Sequence, residues 1–216
     1  MHISDGILPL SWAILWGASS ISVIAIALTK FKKNLSDHPD KKAFFVLITA
    51  FIFLISTIPI PIPFAGTCSH PVGVGVGVLT IGLSGSFLAG FIVLLLQALF
   101  LAHGGISTLG ANVFSMAIVG SFSAYIILQL IKDKNLPLFV KGFLVGIVAD
   151  WMTYISTATQ LALALKENDS FLHLFTKILL AFLPIQGPLS ILEGIITASL
   201  LIALAKRRKD LLEVSV

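Results

Sequence analysis

The chain opens Met1-His2-Ile3-Ser4-Asp5-Gly6 and runs from there into an apolar segment with no charged leader. A free amino terminus followed by histidine is a chelating unit. The terminal amine, the amide nitrogen of His2 and the imidazole of His2 close two fused rings around one ion and place three nitrogens roughly in a plane. A late first-row divalent ion such as nickel, copper or low-spin cobalt suits a planar nitrogen field, whereas magnesium and calcium prefer oxygen. Taken alone, His2 says little, because every chain starts with some pair of residues. What matters is whether the fold brings other donors to it.

The elements that must position these donors are membrane helices. Of 216 residues, 57% are hydrophobic and 11% charged, with a mean hydropathy of +1.04. A soluble domain carries about 25% charged residues, so this chain lacks the polar surface to cover itself in water. Its long apolar runs mark an integral membrane protein. The net charge of +4 sits in short clusters at segment ends, which argues against nucleic acid as a partner. One cysteine, Cys68, excludes an intrachain disulfide. The leader has no Lys or Arg, contains Asp5, and shows no small-residue cleavage site, so no signal peptide is expected. A bulky second residue is expected to keep Met1 in the mature chain.

Seven apolar segments are expected, near 9–29, 41–58, 71–83, 86–102, 110–131, 137–164 and 183–205. Segment 71–83 is short of the roughly 20 residues a spanning helix takes, and is expected to start within the membrane depth beneath a loop buried in protein. Phe171 to Leu183, bounded by Asp169 and Pro184, reads as an interfacial or re-entrant helix. Lys30, Lys32, Lys33, Lys41 and Lys42 crowd the first connection, Lys132, Lys134 and Lys141 the fifth, and Lys206 to Lys209 follow the last segment. With seven spans all three clusters fall on the cytoplasmic side. The expected fold is therefore all-α and polytopic, a single transmembrane metal-binding domain over 1–216, with the N-terminus outside and tucked into the bundle and the C-terminus cytoplasmic. The same topology gathers the N-terminus, 59–70, 103–109 and 165–182 outside, and so brings three histidine-bearing motifs to one face.

His70 ends a stiff loop, Pro59-Ile60-Pro61-Ile62-Pro63, whose prolines restrict the backbone. It reads as a fourth ligand, or as a loop histidine bonded to backbone; neutral imidazole is the commonest metal ligand. Cys68 is a soft donor, but its expected role is a small buried side chain. Gly73 and Gly77 read as a small-residue helix face for close packing. Asn112 has the placement to orient a ligand imidazole through its amide oxygen, or to cap a helix. His103 stands equally as outer partner, alternate ligand or interfacial residue. Asp5, Thr67 and Ser69 are further candidates for an outer shell. Asp150 and Glu193 fall within segments, where carboxylates are costly and mark functional sites by default. Gly82-Leu83-Ser84-Gly85 and Ala102-His103-Gly104-Gly105 resemble pieces of rhomboid intramembrane proteases, but nineteen helical residues put Ser84 and His103 about 28 Å apart, against the roughly 3 Å a nucleophile and base need. No HExxH occurs.

Three stretches together carry a more extensive resemblance. Met-His-Ile-x-Asp-Gly at 1–6, Gly66-Thr67-Cys68-Ser69-His70-Pro71 followed by glycines, and Gln97-Ala98-Leu99 through Leu109-Gly110-Ala111-Asn112-Val113-Phe114-Ser115-Met116 resemble the CbiM/NikM family, the substrate-binding membrane subunits of energy-coupling factor transporters for cobalt and nickel. The likeness runs from Met1 to about Gly194. It implies a seven-helix fold and Co2+ or Ni2+ as transported substrate, held by the Met1 amine, the amide and imidazole of His2, and His70. It also implies a transmembrane coupling subunit, two ATPase subunits and, as the tail is short, a small extra membrane subunit on a separate chain. The 97–116 stretch is closer to the cobalt members, which feed cobalamin synthesis.

Overall fold

The computed structural model describes residues 1–37, 41–62, 67–167 and 169–212; Pro63 and Gly66, named above, lie outside them. Helix α1 (Leu10–Asp37) is followed by α2 (Lys41–Ser56), a two-stranded antiparallel sheet of β1 (Ile60–Ile62) and β2 (Thr67–Ser69), and α3 (Val74–Phe100). Then α4 (Leu109–Asn112), wider π-helical turns over Val113–Gly120 and α5 (Ser121–Ile131) run on as one rod, before α6 (Leu138–Leu165) and α7 (Phe171–Arg207). Helices satisfy their own backbone bonds, which lipid demands. Five of these stretches, Leu10–Asn34, Val74–Phe100, Leu109–Ile131, Leu138–Leu165 and Phe171–Arg207, are long and apolar enough to cross a membrane. At 16 residues, α2 falls short of that length.

Helix α3 doubles back on itself. Gly82 has φ 71 and ψ 175, open to glycine but strained for other residues. Ser86 Oγ donates to the Val74 carbonyl oxygen at 3.0 Å, although twelve residues of straight helix would separate them by about 18 Å. The arms 74–81 and 83–100 therefore pack antiparallel, and the expected break between 71–83 and 86–102 falls at this turn. The pair occupies the centre: 67% of the most apolar window of α3 is buried, against 17% for α1.

Three expectations change. The 59–70 connection contains a short sheet, pairing Ile60 with Ser69 and Ile62 with Thr67, so the chain is mostly but not wholly helical. Residues 171–183 are not a separate interfacial helix; α7 continues through Pro184 and Pro188 as one 37-residue rod packed along α6. Gly73 is not part of a helix face. It takes φ 75 to turn the chain into α3, and Gly75 makes the close approach instead, where an added Cβ would lie 3.2 Å from Gly146 Cα in α6. Gly77 does face a partner closely, Ser86 of the returning arm.

Both intramembrane carboxylates brace helix starts and crossings. Glu193 on α7 accepts from the backbone N–H groups of Val72 (2.5 Å) and Gly73 (2.7 Å), the unpaired amides that lead into α3. Asp150 on α6 accepts from Gln186 Nε2 on α7 through both carboxylate oxygens, at 2.6 and 2.7 Å. Small residues let α6 and α7 meet: a Cβ on Gly146 would sit 2.8 Å from Thr197 Oγ1 and 3.0 Å from Gly194 Cα. Gly146→Leu should therefore destabilise the protein by about 1–3 kcal/mol through overpacking. A lowered thermal midpoint in detergent is the expected reading, and an unchanged midpoint would contradict this packing.

Candidate metal centre

The first three residues are drawn into the protein: Met1, His2 and Ile3 are 0%, 2% and 0% exposed. Burying a chain terminus requires its polar groups to find partners, and they do. The Ile3 N–H donates to Asn112 Oδ1 (2.8 Å), while the Ile3 carbonyl accepts from Asn112 Nδ2 (3.2 Å) and Thr108 Oγ1 (2.6 Å). Gly6 turns the chain at φ 79, and the Asp5 carboxylate accepts from Ser107 N (2.9 Å) and Oγ (2.5 Å). The terminal amine donates to the Cys68 carbonyl oxygen in β2 and lies 3.4 Å from Tyr154 Oη of α6. Tyr154 also holds the next part of the site, accepting from the His70 N–H (2.9 Å) and donating to the His70 carbonyl (3.0 Å).

Around this terminus four side chains, His2, Cys68, His70 and His103, bring one donor atom each within 4.8 Å of one another, all buried. The hydrogen bonds around two of the rings fix their tautomers, since the proton on one ring nitrogen follows the bond the other makes. His70 Nδ1 is 2.8 Å from the Pro71 carbonyl, which only accepts, so Nδ1 carries the proton and Nε2 a lone pair. For His2 the logic takes one more step. Ser56 Oγ donates to the Ile52 carbonyl (2.7 Å) and so accepts from Gln97 Nε2 (2.9 Å). That turns Gln97 Oε1 toward His2 Nε2 at 2.9 Å. His2 Nε2 therefore carries the proton and Nδ1 a lone pair. The two lone-pair nitrogens, His2 Nδ1 and His70 Nε2, face each other across 2.8 Å. With no proton between them they repel, and a shared cation relieves this. Two bonds of about 2.0 Å at a right angle would place their nitrogens about 2.8 Å apart.

The remaining two members stand beside this pair. The His103 ring lies over the His2 ring, with centroids 3.9 Å apart and planes at 37°, and its Nε2 is 3.1 Å from Cys68 Sγ. Gly104, at φ 81, makes the room: an added Cβ would sit 3.0 Å from His2 Cδ2. Burial pushes the terminal amine and both His2 and His70 down, His2 to about 3, which favours the neutral, lone-pair-bearing forms of these nitrogens. Burial alone would push the Cys68 thiol up. The pull of the neighbouring terminal amine and hydrogen bonds with His103, His2 and His70 outweigh it and hold the thiol well below its ordinary value.

Met1, His2 and His70, expected as ligands, are thus brought together, and His103 joins them. Asn112 acts on the backbone of Ile3 rather than on an imidazole. Asp5 ties the 103–109 connection to the N-terminal turn from an exposed position. Thr67 and Ser69 flank Cys68 in β2, both buried. Sequence reasoning missed Gln97, Ser56 and Tyr154 as site residues. The available signal was a glutamine inside an apolar helix, where a buried amide must find partners. Ser84 lies beside Lys30 and Asn34 at the α3 turn, away from His103 and its cluster.

The cobalt uptake substrate-specific transmembrane region, CbiM, is the family whose profile matches residues 2–211. The cobalt transport protein CbiM of Sorangium cellulosum is 45% identical over 213 residues, 99% of this chain and 95% of that protein. A putative cobalt transport protein CbiM of Methanococcus voltae is 42% identical over 214 residues, again 99% and 95%. Among solved structures, a truncated transition metal transporter superposes with a TM-score of 0.84 at 27% identity, covering 95% of this chain and 99% of that one.

Two outcomes are expected from the site geometry. Gln97→Leu removes the acceptor that sets the His2 tautomer, and should weaken binding of a divalent metal about 10- to 100-fold by calorimetry, whereas Gln97→Glu, still an acceptor, should retain more. Equal affinity of Gln97→Leu and wild type would contradict the tautomer argument. Second, His2 is neutral when docked but takes a proton below its ordinary value of 6.5 once released. The unfolded state then binds more protons, so the metal-free protein should lose stability as pH falls from about 6.5 toward 3. A thermal midpoint flat across that range would contradict the buried, neutral ring.

Proposed function

This chain is a member of the CbiM family, the substrate-specific transmembrane regions of cobalt uptake, and from that premise we propose that it captures one divalent cobalt ion through its own N-terminus. The ligands are the Met1 amine, the His2 amide nitrogen, His2 Nδ1 and His70 Nε2. The chelate supplies three of them and the 59–70 connection the fourth. The observation that carries the reading is the pair of facing lone pairs at 2.8 Å. Support comes also from the buried terminus and from relatives named as cobalt transport proteins. Nickel accepts the same donors and is the competing ion.

The protein is a multi-pass membrane protein. In the proposed topology the whole chain is one metal-binding membrane domain of seven segments, counting α2 and both arms of α3, with the N-terminus outside and the C-terminus cytoplasmic. The lysine clusters support that orientation. Binding removes the amide proton of His2 and uses the amine and both imidazoles as neutral bases, so acid competes with the metal. The bound ion anchors the N-terminus and orders the connection above it. A coupling subunit, two ATPase subunits and a small separate membrane subunit would then drive release inward, the ATP being hydrolysed by those partners. The alternative of a rhomboid-like serine protease has no support in the geometry, since Ser84 and His103 stand at opposite ends of the long arm of α3.

Adding one residue ahead of Met1 moves the amine and destroys both chelate rings while leaving every side chain in place. High-affinity cobalt binding by calorimetry should be lost in that protein. Binding equal to that of the native terminus would overturn the proposal.

A further inference from the structure

The nitrogen chelate leaves a charge unaccounted for. A cobalt(II) ion with one deprotonated amide, a neutral amine and two neutral imidazoles keeps a net positive charge in a buried site, where an uncompensated charge is expensive. Among the described residues, the one donor of the clustered group able to supply an anion is Cys68 Sγ. Its position is specific. Sγ is 3.7 Å from His2 Nδ1 and 3.9 Å from the Met1 amine. In a planar chelate the amine and the imidazole are trans to each other, on either side of the amide. A sulfur nearly equidistant from two trans donors lies on the plane that bisects their axis; the in-plane positions on it belong to the His2 amide and His70 Nε2, so the place left to the sulfur is over the chelate. With metal–nitrogen bonds of about 2.0 Å, these distances put it about 3 Å above the metal position, a small side-chain movement from a metal–sulfur bond of about 2.3 Å.

We propose that Cys68 is a fifth, axial ligand to the ion bound by the N-terminal chelate, held in place by His103, and that it biases the site toward cobalt over nickel. The proposal rests on the nitrogen chelate described above. As the ion enters, two protons leave: that of the His2 amide, and the one that Sγ and the terminal amine hold between them. The product, Co2+ with an amide anion and a thiolate, is neutral. His103 donates Nε2–H to the sulfur at 3.1 Å and so is a positioning residue that keeps Sγ over the plane. Its Nδ1 is buried without a hydrogen-bond partner among the described residues, so nothing else in that surrounding claims the ring. The selectivity follows from coordination preference. Nickel(II) favours square-planar four-coordination and gains little from an axial donor, whereas cobalt(II) accepts a fifth ligand.

The test uses the full chain with its native N-terminus, in detergent, loaded with one equivalent of cobalt. X-ray absorption at the cobalt edge should show one sulfur among the nearest neighbours, together with a near-ultraviolet sulfur-to-cobalt charge-transfer band. Cys68→Ser should lose both, and its ratio of cobalt to nickel affinity should fall about tenfold. The wild-type spectra need no variant, so the proposal stands or falls even if Cys68→Ser does not fold. A fully loaded wild-type site with only nitrogen and oxygen neighbours would overturn the axial ligand and leave the nitrogen chelate intact. Loss of the band with an unchanged affinity ratio would overturn the selectivity. Failure of the wild type to bind cobalt at all would overturn the chelate and this proposal together.

Discussion

Two imidazole lone pairs held 2.8 Å apart, each with its proton committed elsewhere, define what this protein is built to hold. The commitment begins outside the rings. The Ile52 carbonyl takes the proton of Ser56, Ser56 then accepts from Gln97, and Gln97 accepts from His2 Nε2. On the other side the Pro71 carbonyl takes the proton of His70 Nδ1. A metal-binding histidine usually donates its second nitrogen to such a partner, fixing the ring and raising its basicity. Here both rings do so, through Gln97 of α3 backed by Ser56 of α2, and through the turn before α3.

That arrangement explains features of the fold that otherwise look expensive. A terminal amine, three histidines and a cysteine are buried in a mostly apolar bundle. Polar groups in such a place are tolerated when they are paired or line a functional cavity. The short arm of α3 begins at the depth of the site, and Glu193 meets its leading amides, so the chain can turn from β2 through His70 into a helix without leaving unpaired N–H groups in the buried interior. Tyr154 on α6 holds both the N–H and the carbonyl of His70. Three helices thus converge on the position of one imidazole. Asn112 and Thr108 do the same for Ile3, and through it for His2.

Much of this was legible in the chain itself. The apolar runs announced membrane helices, and the short 71–83 segment announced the short arm that ends at the Gly82 turn. Met1-His2 and His70 were readable because their chemistry is local, a chelate in two consecutive residues and a histidine closing a constrained loop. Gln97, Ser56 and Tyr154 were not, because their roles depend on which atoms meet across helices more than forty residues apart in sequence. Cys68 was read as packing for the same reason: its position over the chelate exists only once β2 is folded against the N-terminus. The continuity of α7 through Pro184 and Pro188 was also hidden. Proline normally signals a helix end, and packing along α6 overrides it.

The tautomers of two rings carry the account, and nitrogen-15 magnetic resonance of histidine-labelled, metal-free protein reads them directly. His2 should appear with its proton on Nε2 and His70 with its proton on Nδ1, leaving the facing nitrogens bare. If either ring shows the opposite tautomer, the 2.8 Å contact is an ordinary hydrogen bond between imidazoles, and the case for a cation held between them is contradicted.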